Sequence, residues 1–155
     1  MEQPLYDYLR GNWRVKRQIE DRLAKQDNWF SGEAQFVGTE AALNYKEVGE
    51  LTVGETRLEA AQSYKWHCIQ KDAATIYYSD GREFHQIKVE GQTANAEHLC
   101  GEDIYRAAYT FHSNDNWQVT WQVSGPRKDY TSVTTYRRGG GDEVHRDREL
   151  EWRLR

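Results

Sequence analysis

The sequence predicts an all-β protein: a single antiparallel up-and-down β-barrel of about ten strands, with a short helical turn near its N-terminus. Apolar and polar residues alternate along most of the 155 residues, which is typical of strands with one buried and one solvated face. Short turn-forming segments separate the alternating runs. Consecutive hairpins in an open sheet leave exposed edges, and closure into a barrel removes them, so a barrel is favoured over a sandwich.

The predicted elements follow one another with short connections. Residues 3–10 predict the helical turn. The first strand covers 12–23, where Trp13, Val15 and Ile19 share one face. Further strands are predicted at 30–36, 43–47, 58–66, 76–78, 84–87, 98–100, 105–111, 117–123 and 130–138.

Residues that favour tight turns mark the connections. Asp80-Gly81 between two apolar runs is a strong hairpin signal. Other turns are predicted at 25–28, 48–50, 90–92, 113–116 and 125–126. Residues 1–155 are predicted to form one domain, in which Gly139-Gly140-Gly141 is a flexible joint to a C-terminal extension (139–155). Leu150, Trp152 and Leu154 alternate like a strand, although 142–155 is also acceptable as a helix.

The composition excludes several classes of protein. The formal net charge is -4 and the basic residues form no stripe, so nucleic acid is not an expected partner. No apolar run approaches the roughly 18 residues that span a membrane, and the acidic start lacks the apolar stretch of a secretory signal. Aromatic residues make up 13% of the chain, which argues against disorder. We expect a cytoplasmic protein in which Cys68 and Cys100 are reduced and lie in or near the core.

Polar residues share the apolar faces of several predicted strands. Arg17 follows Trp13 and Val15 in register, Glu47 follows Tyr45, and Gln62 precedes Tyr64. A buried charge is costly unless it is paired. Arg17 can therefore form a structural ion pair with Glu47 or Asp21. Alternatively, these groups line a partly hydrated cavity that binds a small polar or anionic ligand, or the register differs from the one assigned.

The aromatic residues of the inward faces form the walls of such a cavity or fill the interior. A barrel of eight to ten strands is wide enough to enclose a ligand site. The candidate wall residues are Tyr45, Tyr64, Trp66, Tyr105, Tyr109, Trp117 and Trp121.

The histidines give a weaker signal. His85 and His98 lie on inward registers, whereas His67 and His112 lie on outward ones. His98, Cys100 and Asp103 lack a recurrent metal-binding spacing, so no metal is predicted. No nucleophile elbow, phosphate-binding glycine loop or His-Glu-x-x-His motif is present in the sequence. Proton transfer or hydrolysis by a histidine–carboxylate pair, drawn from His85, His98, Asp103, Glu47 and Tyr105, is the catalytic alternative.

Several motifs together carry a family resemblance. They are Gly11-Asn12-Trp13, Leu43-Asn44-Tyr45-Lys46-Glu47, Tyr64-Lys65-Trp66, Asp80-Gly81-Arg82-Glu83-Phe84-His85, and residues 117–130, reading WQVTWQVSGPRKDY. Over residues 5–138 the chain resembles a family of uncharacterised lipocalin-like (calycin-type) barrels with no established activity. The opening Gly-x-Trp is also similar to lipocalins and nitrobindin-type haem barrels, which implies a hydrophobic or haem-like ligand. No residue matches the haem-ligating histidine of the latter, so no cofactor is predicted. Gln62 stands where the resembled family often has arginine, which weakens a two-arginine anion clamp.

The sequence thus predicts a barrel that binds a small molecule, with an enzyme as the alternative and a filled scaffold as a third class. We predict no nucleic-acid or membrane partner and leave the oligomeric state open. The predicted ligand-binding residues are Arg17, Tyr45, Glu47, Gln62, Tyr64, Trp66, His85, His98, Tyr105 and Trp121.

Overall fold

The computed structural model of the protein describes residues 3–39 and 41–139, and these form one short helix and ten strands. The helix is α1 (Leu5–Leu9). The strands are β1 (Gly11–Asp21), β2 (Gln26–Val37), β3 (Ala42–Val53), β4 (Thr56–Gln70), β5 (Ala73–Tyr78), β6 (Glu83–Lys88), β7 (Thr93–Cys100), β8 (Asp103–Ser113), β9 (Asn116–Gly125) and β10 (Lys128–Arg138). The predicted all-β class, the strand number and the helical turn are confirmed.

The strands form one antiparallel sheet that is nearly closed into a barrel. Its order is β6-β5-β4-β3-β2-β1-β10-β9-β8-β7, so neighbours in sequence are paired and β1 pairs with β10. No ladder joins β6 to β7 in the described part of the chain. A seam therefore remains between these two strands, next to the turn that connects them.

The helix α1 closes one end of the barrel. Leu5 and Leu9 are fully buried, and the Tyr8 hydroxyl donates to the Ser113 carbonyl oxygen at 2.5 Å. The Arg138 guanidinium, from the last strand, donates to the Tyr8 carbonyl oxygen at 2.8 Å. It also lies 4.1 Å from the centre of the Trp13 ring. Apolar burial and these contacts together fix the helix over the barrel end. We name this half of the molecule, below α1, the closed end.

Two predicted turns are misplaced. Residues 48–50 continue β3, because Gly49 pairs with Gly32 of β2 and the two backbones approach so closely that a Cβ on either would clash with the other strand. The turn predicted at 25–28 begins earlier. Asp21 Oδ1 accepts from the Leu23 and Ala24 N–H groups, and Lys25 adopts a positive φ of 55°. This side-chain-to-backbone bonding turns the chain directly after Asp21.

The hairpin at Asp80-Gly81 is confirmed. Arg82 N–H donates to Asp80 Oδ1 at 3.0 Å, and Gly81 has a φ of 94° that suits glycine. The connections predicted at 90–92, 113–116 and 125–126 also coincide with turns between strands, with Ser113, Asn116 and Gly125 as strand ends. The extension at 140–155, including its strand-or-helix alternative, lies outside the described residues.

The cysteines differ in exposure. Cys68 is buried, as predicted, but Cys100 is exposed. The prediction for Cys100 is wrong because this residue ends β7 beside Gly101, where the hairpin reaches solvent. His67 and His112 are exposed, as predicted. No helix among the described residues is long and apolar enough to cross a membrane.

Candidate functional site

A cavity of about 360 Å³ occupies the half of the barrel away from α1. Its mouth lies at the opposite strand ends, where Tyr105 and Tyr130 are half-buried. The lining residues come from β1, β3, β4, β5, β6, β8, β9 and β10: Arg17, Ile19, Tyr45, Glu47, Gln62, Tyr64, Trp66, Ile76, Tyr78, Phe84, His85, Tyr105, Tyr109, Trp117, Val119, Trp121, Val123, Tyr130, Ser132, Thr134 and Tyr136.

One wall of the cavity carries a buried ion pair. Arg17 Nη1 and Nη2 donate to the two carboxylate oxygens of Glu47, each at 2.8 Å, and Arg17 Nε donates to Thr134 Oγ1 at 2.7 Å. Glu47 is 2% exposed. Of the two partners predicted for Arg17, the structure selects Glu47. The Asp21 carboxylate instead accepts backbone hydrogen bonds in the turn after β1. Although burial opposes its charge, the bonds to Glu47 raise the pKa of Arg17 above its ordinary value.

Two tyrosines extend this network. The Tyr45 hydroxyl donates to Glu47 Oε1 at 2.5 Å and lies 2.9 Å from the Tyr136 hydroxyl. Burial, followed by the neighbouring charges and hydroxyls, raises the pKa of Tyr45 well above its usual range. Burial has the same effect on the pKa of Tyr136. Both tyrosines therefore stay neutral, and the pair of Arg17 and Glu47 adds no net charge to the cavity.

His85 lies on the opposite side of the barrel and is 4% exposed. Its Nε2 is 2.7 Å from the Tyr109 hydroxyl, so its partner is a phenol and not a carboxylate. Burial, and to a smaller degree the nearby His98, lowers the pKa of His85 to about 3. The ring is therefore neutral near pH 7. Its Nδ1 is buried and has no hydrogen-bond partner among the described residues.

Five aromatic side chains surround the outer part of the cavity, and we call them the aromatic collar: Tyr64, Tyr78, Phe84, Tyr105 and Trp121. Phe84 lies at its centre. Its ring stacks on Trp121 with 5.1 Å between centroids and 9° between planes, and on Tyr78 at 4.7 Å and 22°. These are offset or near-parallel arrangements that aromatic rings prefer. Flat aromatic surface thus lines the way into the cavity.

A strand irregularity explains how Phe84 reaches the cavity. Adjacent residues of a regular strand point to opposite faces, yet Phe84 and His85 both line the cavity. The register between β5 and β6 shifts here: Ile76 pairs with His85, whereas Tyr77 pairs with Glu83. This bulge turns Phe84 toward the same side as His85.

Nine of the ten predicted site residues line the cavity, and His98 does not. His98 is half-buried beside the collar, 5.3 Å from Phe84 and 5.8 Å from Tyr105 between ring centroids. Gln62 is an exposed member of the mouth, 3.4 Å from the Tyr64 hydroxyl. The aromatic and polar lining residues that the sequence did not predict are Tyr78, Phe84, Tyr130, Ser132, Thr134 and Tyr136. The last four follow the period-two pattern of β10.

The rim of the mouth is polar. Lys128 Nζ donates to the Tyr105 hydroxyl at 2.7 Å and lies 3.4 Å from Asp103 Oδ2. Asp103 therefore pairs with a lysine rather than with His98 or Cys100. Within residues 3–39 and 41–139, no group of three or more His, Cys, Asp or Glu side chains could hold a metal ion.

Comparison with known proteins assigns the chain to a family. Residues 9–138 match a family of unknown function, DUF6314. The chain belongs to this family. No curated protein matches it. The match spans every strand and the end of α1, and so it includes all residues that line the cavity.

Solved structures similar to this DUF6314 member share its fold. An S-type phycobiliprotein lyase from Guillardia theta is 10% identical, with a TM-score of 0.62 over 88% of this chain and 92% of that chain. A protein of unknown function from the DUF3598 family of Nostoc punctiforme is 12% identical, with a TM-score of 0.57 over 90% of this chain and 51% of that one. At such identities the likeness concerns the fold alone.

Proposed function

We propose that this protein binds a small, largely aromatic organic molecule inside its barrel. The observation that carries the proposal is the cavity of about 360 Å³ behind a collar of partly exposed aromatic rings. This volume lies within the range of about 300–1,000 Å³ that is typical of small-molecule sites. A scaffold whose interior is filled by side chains would not contain a cavity of this volume.

The chemistry of the wall favours a ligand without net charge. The three guanidinium nitrogens of Arg17 are occupied by Glu47 and Thr134, and the carboxylate of Glu47 also accepts from Tyr45. The wall therefore offers no unpaired cation to an anionic ligand, and burying an unpaired anion is expensive. The partly polar ligand predicted from the sequence fits this wall better than the anionic one.

A catalytic role has less support in the geometry. A general base requires an accessible proton acceptor with a pKa near the working pH. Burial lowers the pKa of His85 to about 3, and its nearest polar partner is Tyr109. Glu47 is bound by both Arg17 and Tyr45. His85 and Glu47 therefore each have hydrogen-bond partners other than those of a histidine–carboxylate pair.

The proposal is tested with N-phenyl-1-naphthylamine, an uncharged aromatic probe that fluoresces in apolar surroundings. We expect saturable binding to the purified chain, and at least about a tenfold weaker Kd for Trp121→Ala, because buried aromatic contacts dominate such sites. Trp29→Ala is the matched control: Trp29 is 52% exposed on the outer face, so its Kd should stay within about twofold of the wild type.

A probe that binds without saturation, or equally well to the Trp121→Ala protein, contradicts the proposal. Mass spectrometry of small molecules extracted from the purified protein gives a second readout. An aromatic compound that is retained by the wild type and by Trp29→Ala but lost from Trp121→Ala supports binding inside the collar.

A further inference from the structure

Two residues of the cavity wall each have a buried nitrogen atom without a hydrogen-bond partner among the described residues: His85 Nδ1 and Trp117 Nε1. Both residues line the cavity, and they are 4% and 1% exposed. A buried polar atom without a partner costs about 1–3 kcal/mol. Both atoms belong to residues that line one aromatic cavity, so they are the donors that an occupant of this cavity could satisfy.

The hydroxyl of Tyr109 determines which nitrogen of His85 carries the proton. Burial keeps the pKa of Tyr109 well above its usual range, so this hydroxyl retains its hydrogen. Its one hydrogen-bond partner within residues 3–39 and 41–139 is His85 Nε2, at 2.7 Å. If the hydroxyl donates to Nε2, both buried groups are satisfied and the neutral imidazole holds its proton on Nδ1. The Nδ1–H donor of His85 is then the group that has no partner among the described residues.

Trp117 adds a donor of the same kind. The indole nitrogen can only donate. Its ring is fixed by stacking on Tyr136, with centroids 3.8 Å apart and planes 4° apart, and on Tyr109 at 6.2 Å and 17°. Because Tyr109 also stacks on His85 at 6.0 Å, the four rings form one layered group. Both unpaired donors belong to that group, deep behind the collar.

We propose that His85, held in its Nδ1–H tautomer by Tyr109, selects ligands that carry an uncharged hydrogen-bond acceptor, such as the carbonyl oxygen of an aromatic ketone or quinone. This inference rests on the proposed binding function and names the ligand class of the same cavity. Tyr109 acts here as a positioning residue, and His85 as the specificity-determining contact.

The acceptor is uncharged for an electrostatic reason. A carboxylate beside His85 would need a counter-charge, yet the imidazole is neutral and Arg17, the basic residue of the described cavity lining, is already paired with Glu47. A carbonyl oxygen accepts from a neutral N–H without that cost. The aromatic collar complements the flat conjugated body to which such a carbonyl is attached.

Fluorene, 9-fluorenone and fluorene-9-carboxylate form a probe series of nearly equal shape. The ratio of the Kd values of fluorene and 9-fluorenone is measured for the wild type and for His85→Phe. We expect the preference for the ketone to fall by about three- to tenfold in His85→Phe, which is the range of one neutral hydrogen bond. The carboxylate should bind the wild type more weakly than the ketone at pH 7. His98→Phe, beside the collar but off the cavity wall, should keep the wild-type ratio.

The outcomes separate this inference from the proposed function. Saturable binding of fluorene and 9-fluorenone with the same ratio in wild type and His85→Phe leaves the binding function standing and overturns the role of His85. Tighter binding of the carboxylate than of the ketone overturns the uncharged class. If neither fluorene nor 9-fluorenone binds, both the inference and the proposed function fail for this cavity.

The tautomer is tested independently of any ligand by nitrogen-15 NMR of the histidine rings. The His85 signals are assigned by their loss in His85→Phe. We expect a protonated, pyrrole-type Nδ1 and an unprotonated, pyridine-type Nε2 in the wild type, and a shift of proton occupancy toward Nε2 in Tyr109→Phe. The opposite pattern in the wild type, with the proton on Nε2, overturns the assignment of His85 as a donor.

Discussion

The two ends of the barrel are built from the same alternating strands but use their inward residues differently. At the closed end, α1 covers the interior and Trp13 and Phe36 are 0% exposed. At the mouth, Trp121 and Tyr105 hold equivalent inward registers and remain half-buried. The aromatic content is similar, so residue type alone does not distinguish a packed core from a pocket. The covering helix α1 is what distinguishes the packed core of the closed end from the pocket at the mouth.

The first prediction compares the stability loss caused by removing one tryptophan side chain at each end of the barrel. Trp13→Ala at the closed end should lower the free energy of unfolding by about 4 kcal/mol, since it leaves a large cavity and frees the Leu9 carbonyl that accepts from the indole N–H at 2.8 Å. Trp121→Ala at the mouth should cost only about 1 kcal/mol, because a half-buried side chain loses fewer contacts. Urea denaturation of the two variants and the wild type measures both values.

Equal losses of stability in the two variants would show that the mouth is packed as tightly as the closed end. That result would also remove the basis for a pocket behind the collar. The Trp29→Ala protein again provides the reference for an outer-face tryptophan.

The second prediction concerns the polar wall between the two ends. Glu47→Ala should lower the free energy of unfolding by about 3 kcal/mol, because it leaves the Arg17 guanidinium without its counter-charge. The Arg17 side chain is 16% exposed, so water from the cavity limits the loss. The matched control is Glu97→Ala, which breaks the exposed pair with Arg106 at 3.0 Å and should cost less than about 1 kcal/mol. A loss no larger than that of the control contradicts a structural role for the buried pair.

The third prediction uses the pH dependence of stability. Burial lowers the pKa of His85 to about 3 in the folded state, against about 6.5 in the unfolded chain. Below about pH 6.5 the unfolded chain takes up a proton that the folded protein does not, so folding stability falls as the pH falls. Between pH 7.5 and 5 this single site should remove about 2 kcal/mol. Urea titrations at several pH values measure the slope.

His85→Phe should flatten that slope, whereas His112→Phe, on the outer face, should leave it unchanged. An unaltered slope in His85→Phe would mean that another group carries the titration. The smallest of the three effects therefore reports on the buried histidine of the pocket.

Much of the fold follows from the sequence, and the exceptions have local causes. Period-two alternation predicts most of the strands, because these have a buried and a solvated face. The turn signal at Asp80-Gly81 predicts the hairpin of β5 and β6, although Ala74 to Ile76 of β5 are buried without alternation. Gly49 is misread because glycine favours both turns and the close approach of two strands, and only its pairing with Gly32 decides between them. The sequence around Lys25 does not predict the positive φ of this residue. That conformation depends on the Asp21 hydrogen bonds.

The candidate site is predictable in its residues more than in its geometry. Arg17 and Glu47 share the inward register, so their pairing across 30 residues could be named in advance. The position of Phe84 in the cavity could not be predicted, because a bulge turns this side chain to the other face of the strand. No residue of the hairpin indicates that bulge in the sequence. The orphaned Nδ1 of His85 is equally hidden, since it depends on where Tyr109 from another strand places its hydroxyl.

The pairing of β1 with β10 has a consequence for how the chain acquires its pocket. Eight ladders join strands adjacent in sequence, but this one brings together distant residues such as Arg17 and Thr134, which are 117 positions apart. Closing so long a loop is slow and entropically costly. The two meanders β1–β6 and β7–β10 are therefore expected to form before they join. Because the pocket wall crosses that ladder, the proposed ligand would bind only to the completed fold, and at saturation it would hold the two meanders together.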